Sequence, residues 1–494
     1  MLGGRNINNH THLNLMSLRS YQDLADKWIK GSGEEYLDIN PADKTHVLAK
    51  IKTYTKEDVK AAIEKAKAKF EEWANTPAAQ RAKILLRAGE IAMQEADEIA
   101  LLMTLEEGKT LNDSKAEVQR DLLRFYGALA YAISGKTLYS ADPNTRIFTV
   151  REPLGVVAVI TPWNFPWAIP LWKIAPALAA GNTVIFKPAS KTPLMAAKIV
   201  DILHRAGLPD GVLNLVVGKG SEIGDLIVSH EDIAAVSFTG SSEVGQRVYK
   251  LVGSKNRMTR IQLELGGKNA YYVDKSANLD LAVELITKSA FGLTGQSCTA
   301  TSRLILHKDI YNEFMRKFIE RVKKWRVGPG WENVDMGPVV DEGQFQKDLY
   351  YIELGKKEGA KLTYGGNTFN TEKGYFLQPT IFEGVTPDMR IFREEIFGPI
   401  LSVTEAKDLD EAIYLVNAVD YGHTAGIAAT DIRAINEFIK RVEVGVIKVN
   451  KPTIGLELQA PFGGFKKSGA TTWKEMGEEA LEFYTREKTV YEGW

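Results

Sequence analysis

Leu154-Gly-Val-Val-Ala-Val-Ile160 is a continuous apolar run that stops at Thr161-Pro162-Trp163-Asn164-Phe165-Pro166. A short run of this kind reads as a parallel strand buried on both faces. Downstream the pattern repeats. A helix is expected around Leu171 to Leu178, then a strand from Asn182 to Phe186 running into Lys187-Pro188-Ala189-Ser190. A helix from Thr192 to Arg205, a strand from Val212 to Val216, the turn Gly218-Lys219-Gly220 and another helix follow. Strand Ala234 to Phe238 then leads through Thr239 to Gly245 into helix Gln246 to Val252. Strand alternating with helix predicts a doubly wound parallel α/β sheet, in which ligands gather at the carboxyl ends of the strands. Lys187, Gly220 and Gly240 stand at such ends.

A second α/β pattern begins after Leu263-Glu264-Leu265-Gly266-Gly267-Lys268. It contains helix Leu279 to Phe291, strand Ser302 to Leu306, helix Ile310 to Val327 and strands to about Asn450. The division falls near Gly266-Gly267, giving one domain from residues 16–136 and 154–265 and another from 266–480. Upstream, Tyr21 to Tyr54 reads as short strands with turns. Thr55 reads as an N-cap with Asp58 as its capping-box partner, and Val59, Ala62, Ile63, Ala66 and Phe70 share one helix face. Proline-free helices should run over Ala78 to Gly108 and Thr110 to Ile133. Residues 137–153 and 481–494 are extended and aromatic, which suits pairing with each other or across a subunit boundary. Residues 1–15 read as a disordered or extraneous leader, with Met16 as the start.

With 494 residues the chain is too long for one core. Its net charge of -1 argues against a nucleic-acid surface, and no apolar run approaches the roughly twenty residues of a membrane helix. A single cysteine excludes an internal disulfide and multi-cysteine metal sites, and suits a reducing compartment, with the cytoplasm as the default. That cysteine, Cys298, lies in FGLTGQSCTATSR (Phe291 to Arg303). A lone cysteine is often a buried apolar filler. The small and polar neighbours Gly295, Gln296, Ser297 and Thr299 fit a nucleophile instead, because they bring backbone N–H groups close to a thiolate.

Other positions carry two readings each. TGSSEVG, framed by Gly240 and Gly245, is either an ordinary βα turn or a pyrophosphate cradle at a helix N-terminus. Glu264 is an idle strand-end carboxylate or, in an apolar setting, a general base. Asn164 is a turn-former or an oxyanion donor. No acidic residue follows Lys187; Ser190 and Lys191 stand there instead, which favours a cofactor bearing a 2′-phosphate.

Taken in order, PWNFPW, IFKPASKTP, FTGSSEVG, LELGGKN, GQSC, EEIFGP (394–399) and PFGGFKKSG (461–469) make the chain from about Leu37 onward resemble the aldehyde dehydrogenase superfamily. GLTGQSCTATSR and NKPTIGLELQAPFGG are similar to its branch acting on 2,5-dioxopentanoate (α-ketoglutarate semialdehyde) with NADP. The resemblance implies Cys298 as nucleophile, Asn164 and the Cys298 N–H as oxyanion hole, and Glu264 as the base for the deacylating water. It implies cofactor contacts from Ile160, Thr161, Trp163, Lys187, Ser190, Lys191, Gly220, Phe238, Gly240, Ser241, Val244, Leu265, Gly266, Glu395 and Phe397, with NAD as the weaker alternative. The first domain would thus bind the cofactor, and no metal is implied. Thiolate addition to the aldehyde, hydride transfer to nicotinamide and thioester hydrolysis would follow in that order.

By the same resemblance the aldehyde pocket would draw on Trp167, Phe291, Ser297, Thr299, Thr453 and Phe462. None of these is cationic, so a distal carboxylate would find only neutral donors. Leu293 departs from the family, which often has Asn there. Glu264 speaks against the CoA-acylating branch. The two arm segments would build a shared sheet in a dimer of dimers. Alternatives are a broad-specificity, succinate semialdehyde or glyceraldehyde dehydrogenase, or a catalytically silent relative.

Overall fold

The structure is a computed structural model describing residues 20–469 and 473–494. Val156–Ile160 is buried at every position and is the central strand of a five-stranded parallel sheet. On one side lie Thr183–Lys187 and Leu213–Leu215; on the other lie Ile233–Thr239 and Arg260–Glu264. The chain therefore winds outward one way, returns to the centre, and winds outward the other way. The reversal between Val156–Ile160 and Ile233–Thr239 is a topological switch point, where crossover loops diverge and leave a crevice. Register aligns the crevice: Ile160 pairs with Lys187 and Phe238, and Thr239 pairs with Glu264.

Residues 265–268 carry the chain into a seven-stranded sheet. Its order is Lys361–Tyr364, Thr380–Glu383, Ile400–Ala406, Thr301–His307, Asn269–Val273, Thr424–Ala428, Val446–Val449, and only the first strand is antiparallel. Strand Thr145–Pro153 pairs antiparallel with Thr485–Gly493 over its whole length, and Thr137–Leu138 extends this arm. The two extended segments thus pair with each other.

Thr55 caps Lys56–Asn75 through a reciprocal capping box with Asp58, and Val59, Ile63, Ala66 and Trp73 form the buried face. Four expectations change. Residues 20–28 are helical rather than strand-like, burying Tyr21 and Ala25 at helical spacing. The first long helix breaks at Glu95 into Ala78–Gln94 and Ala96–Glu107. The next breaks between Val118 and Leu122, where Asp121 takes a left-handed backbone (φ 51°). Finally, Phe462, Met476, Ala480 and Phe483 join the hydrophobic core of the five-stranded sheet, although they follow the second α/β pattern in sequence. Glu475 anchors this return to Lys173 in the wholly buried helix Ala168–Ala179. The expected leader, residues 1–15, lies outside the described residues.

Candidate active site

At the carboxyl ends of the five-stranded sheet is a cavity of about 400 Å³, in the range of a small-molecule site. Every one of the fifteen residues expected to meet a cofactor, from Ile160 to Phe397, lines it, and so do Asn164 and Cys298. Its shape follows from local rules. Ser241 caps helix Ser242–Gly253 by accepting from the Val244 N–H, leaving the first turn facing the cavity. Glu395 Oε1 accepts the Gly267 N–H at 2.9 Å, and a Cβ on Gly266 would lie 2.3 Å from Glu395 Oε2, so any larger residue there would displace the Glu395 carboxylate. Trp163 and Phe397 meet edge to face with centroids 5.5 Å apart.

Lys187 is buried, not the solvated lysine its sequence context allows, and burial lowers its pKa to about 8. No carboxylate pairs with it among the described residues. Lys191 is held by Asp341 at 2.8 Å and lies over the Trp163 ring. The carboxylates of the cavity lining are engaged: Asp225 by Arg247, Glu395 by the Gly267 N–H. A dinucleotide fits this lining, with a helix N-terminus for its phosphates and Glu395 for a ribose.

The cysteine is positioned by three consecutive left-handed residues, Leu293, Thr294 and Gly295 (φ 57°, 60° and 66°). A Cβ at residue 295 would lie 2.2 Å from the Gly398 carbonyl oxygen, so the loop turns closely under the 394–399 segment. Asn269 Nδ2 donates to the carbonyls of Cys298 at 2.7 Å and Ala300 at 2.8 Å. Asn164 Nδ2 donates to the Gln296 carbonyl at 3.1 Å, while the Asn164 carbonyl accepts from Lys109 Nζ at 2.6 Å. The amide group thus stands on the cysteine loop, with a second hydrogen to give. Burial first, then Glu264, Glu395 and Glu475, push the Cys298 thiol well above its usual pKa. It is a protonated thiol that becomes a nucleophile when a base or bound partner offsets those charges.

Glu264 is buried and lies 3.5 Å from His423 Nε2. Burial and the Glu475 carboxylate hold its pKa well above the ordinary range, against the opposing pull of Lys173 and Lys474. Burial takes His423 down to about 4, so the imidazole is neutral at physiological pH. A carboxyl group raised in this way is suited to proton transfer near neutral pH. Lys173 ion-pairs with Glu475 and also donates to Ser237 Oγ at 2.9 Å.

The six residues expected to form the aldehyde pocket do not line this cavity. Phe291 is a correction: it ends helix Leu279–Phe291 on its buried side and stacks on Phe318 in the core of the second sheet. Ser297 and Thr299 share a hydrogen bond at 3.0 Å, and Thr301 and Thr453 share one at 2.9 Å. Phe462 sits between His423 and Trp172, and the Trp167 N–H donates to Glu117 Oε1 at 3.1 Å. Lys173, Glu475 and the positioning role of Asn269 escaped the reading of the sequence. Only Lys173 carried a signal, as a lone cation in the apolar segment IPLWKIAPALA. No cluster of His, Cys, Asp and Glu suited to a metal ion occurs among the described residues.

Comparison with known proteins decides the family. The aldehyde dehydrogenase family model matches residues 28–490. This chain belongs to the aldehyde dehydrogenase family. The chain is 77% identical over 479 residues to a 2,5-dioxopentanoate dehydrogenase of Saccharolobus solfataricus, spanning 97% of this chain and 100% of that protein. It is 45% identical to an alpha-ketoglutarate semialdehyde dehydrogenase of Haloferax volcanii, over 95% of this chain and 98% of the relative. Among solved structures, betaine aldehyde dehydrogenase of Staphylococcus aureus in complex with NAD+ superposes with a TM-score of 0.92 at 32% identity, covering 96% of this chain and 97% of that one. As an aldehyde dehydrogenase this chain is an oxidoreductase, and no helix among its described residues is long and apolar enough to cross a membrane.

Proposed function

We propose that this aldehyde dehydrogenase oxidises 2,5-dioxopentanoate to 2-oxoglutarate, prefers NADP to NAD, and hands its thioester to water rather than to CoA. The observation that carries the substrate is the 77% identity to the Saccharolobus protein over essentially both full lengths. Two features of the cavity support the cofactor preference: Ser190 stands where a ribose-binding carboxylate would favour NAD, and Lys187 has no anionic partner. The buried carboxyl of Glu264 supports hydrolysis.

In this reading Cys298 gives up its thiol proton to solvent and Sγ adds to the aldehyde carbon. Asn164 Nδ2 and the Cys298 N–H hold the resulting oxyanion. A bound nicotinamide would accept the hydride that leaves as the thioester forms. Glu264 then takes a proton from the water that attacks the thioester, and the carboxylate product leaves as the thiol is restored. We read the arm as the seam of a dimer of dimers, because it exposes Leu138, Tyr139, Val150, Tyr491 and Trp494 around a free strand edge.

Initial rates with 2,5-dioxopentanoate, succinate semialdehyde and glyceraldehyde, each with NADP and with NAD, test the proposal. A clear kcat/KM preference for 2,5-dioxopentanoate with NADP supports it. Equal values across the three aldehydes overturn the substrate assignment, and equal rates with both cofactors overturn the NADP preference.

A further inference from the structure

The break between helices Leu111–Val118 and Leu122–Leu129 sends one cationic side chain toward the segment that carries Asn164. Arg120 lies in that break, and its guanidinium sits over the ring of Phe165, 5.5 Å from the centroid. Phe165 follows Asn164 directly, and Asn164 Nδ2 in turn donates to the Gln296 carbonyl of the cysteine loop at 3.1 Å. Nearby acids are already engaged. Glu117 Oε2 accepts from Lys109 at 2.7 Å, and Glu117 Oε1 accepts the Trp167 and Ala168 N–H groups at 3.1 and 2.9 Å. Asp121 is bound by Arg124 through Oδ2, while Oδ1 is buried without a hydrogen-bond partner. Among the described residues the Arg120 guanidinium has no ion pair and no side-chain hydrogen bond. Burial lowers its pKa; the charges that act back on it are Glu117 first and then Cys298 itself.

A largely buried guanidinium without a partner is costly unless something anionic visits it. It shares the Phe165 ring with Lys109 Nζ, which lies 4.4 Å from the centroid, and the reacting sulfur is within electrostatic reach. We propose that Arg120 receives the distal carboxylate of the oxo-acid aldehyde, making it the specificity-determining residue of the pocket. This rests on the substrate reading given above, and it supplies the cation that the six expected pocket residues lack. A planar fork of N–H donors matches a carboxylate in two-point contact, which also fixes the direction in which the aldehyde end is presented. Lys448, half-buried and donating to the Gly455 carbonyl at 2.6 Å, has its pKa lowered by burial first and, against the pull of Glu457, by Lys451 and Arg120. The two cations together favour an anionic substrate over a neutral one.

The test is the ratio of kcat/KM for 2,5-dioxopentanoate to that for pentanal, measured in the unaltered enzyme, Arg120→Met and Arg120→Lys. Arg120→Met is expected to lower the ratio by about 10- to 100-fold, chiefly through KM for the oxo-acid, as loss of a charge-assisted hydrogen-bonded pair requires. Arg120→Lys keeps the charge without the fork and should give an intermediate ratio. A high ratio in the unaltered enzyme that persists in Arg120→Met overturns the role of Arg120 alone. So does an equal fall for both aldehydes, which marks a structural role. A ratio near one in the unaltered enzyme overturns the substrate reading and the proposal together.

Discussion

Replacing Lys173 by Met removes the cation from the most deeply buried charge cluster of the site. Lys173 and Glu475 are both essentially inaccessible, and Ser237, which receives Lys173 at 2.9 Å, passes a hydrogen bond on to Gln262 at 2.7 Å. Methionine fills most of the same volume, so the change isolates the charge. Breaking a buried pair from one side strands the other charge, and the expected loss of stability is about 3–5 kcal/mol. The loss depends on pH with a definite sign. An unpaired buried carboxyl holds its proton in the folded state, whereas the unfolded chain releases it in the ordinary carboxylate range. The folded variant then binds the extra proton, so its deficit is small at pH 5 and grows as the pH rises toward 8. Urea unfolding at pH 5.5 and 8.5 reads this directly. The double variant Lys173→Met/Glu475→Gln should recover most of the deficit at the higher pH. A deficit equal at both pH values, with no recovery in the double variant, refutes the reasoning.

Asn164→Ala should lower kcat by about 10²–10³-fold, the usual effect of losing one oxyanion donor, with a thermal midpoint close to that of the parent. A fall of less than tenfold would remove Asn164 from the oxyanion hole. Asp38 and Glu106 are buried and interact with each other, and burial raises Asp38 to about 7. Raised acids contribute most at low pH, so stability should fall between about pH 4 and pH 7 by up to about 1.4 kcal/mol per unit, and Asp38→Asn should flatten that slope in thermal unfolding. Leu293 holds a left-handed backbone that a branched side chain adopts at a cost of roughly 1–2 kcal/mol. Leu293→Asn should therefore raise stability by about 0.5–1 kcal/mol in urea unfolding, and a lower unfolding midpoint would contradict this.

The parallel sheets were readable because LGVVAVI is a continuous apolar run and the strands beside it are dominated by apolar residues, a pattern that burial on two faces imposes. Lys187, Gly220 and Gly240 were readable for a related reason, since the doubly wound sheet brings the loops after its strands together at one edge; the other cavity residues came from the family resemblance. The aldehyde side was not. Phe291 occupies the last turn of a helix, and which way that turn faces is decided by Phe318, a contact no local pattern announces. Arg120 was hidden because the 110–133 segment has no proline or glycine at its break. The left-handed turn at Asp121 is carried by tertiary packing. Residues 20–28 read as strand because their helix is short and closely followed by Gly31-Ser32-Gly33, and its burial depends on partners far along the chain.

The central claim is that Cys298 carries the acyl group and Glu264 governs its release. Mixing Glu264→Gln enzyme with 2,5-dioxopentanoate and NADP, quenching in acid and mapping peptides by mass tests this directly. The account predicts a burst of about one NADPH per active chain, little turnover afterward, and a single acyl adduct on the peptide containing Cys298. Full steady turnover without an adduct, or an adduct on another residue, would contradict it.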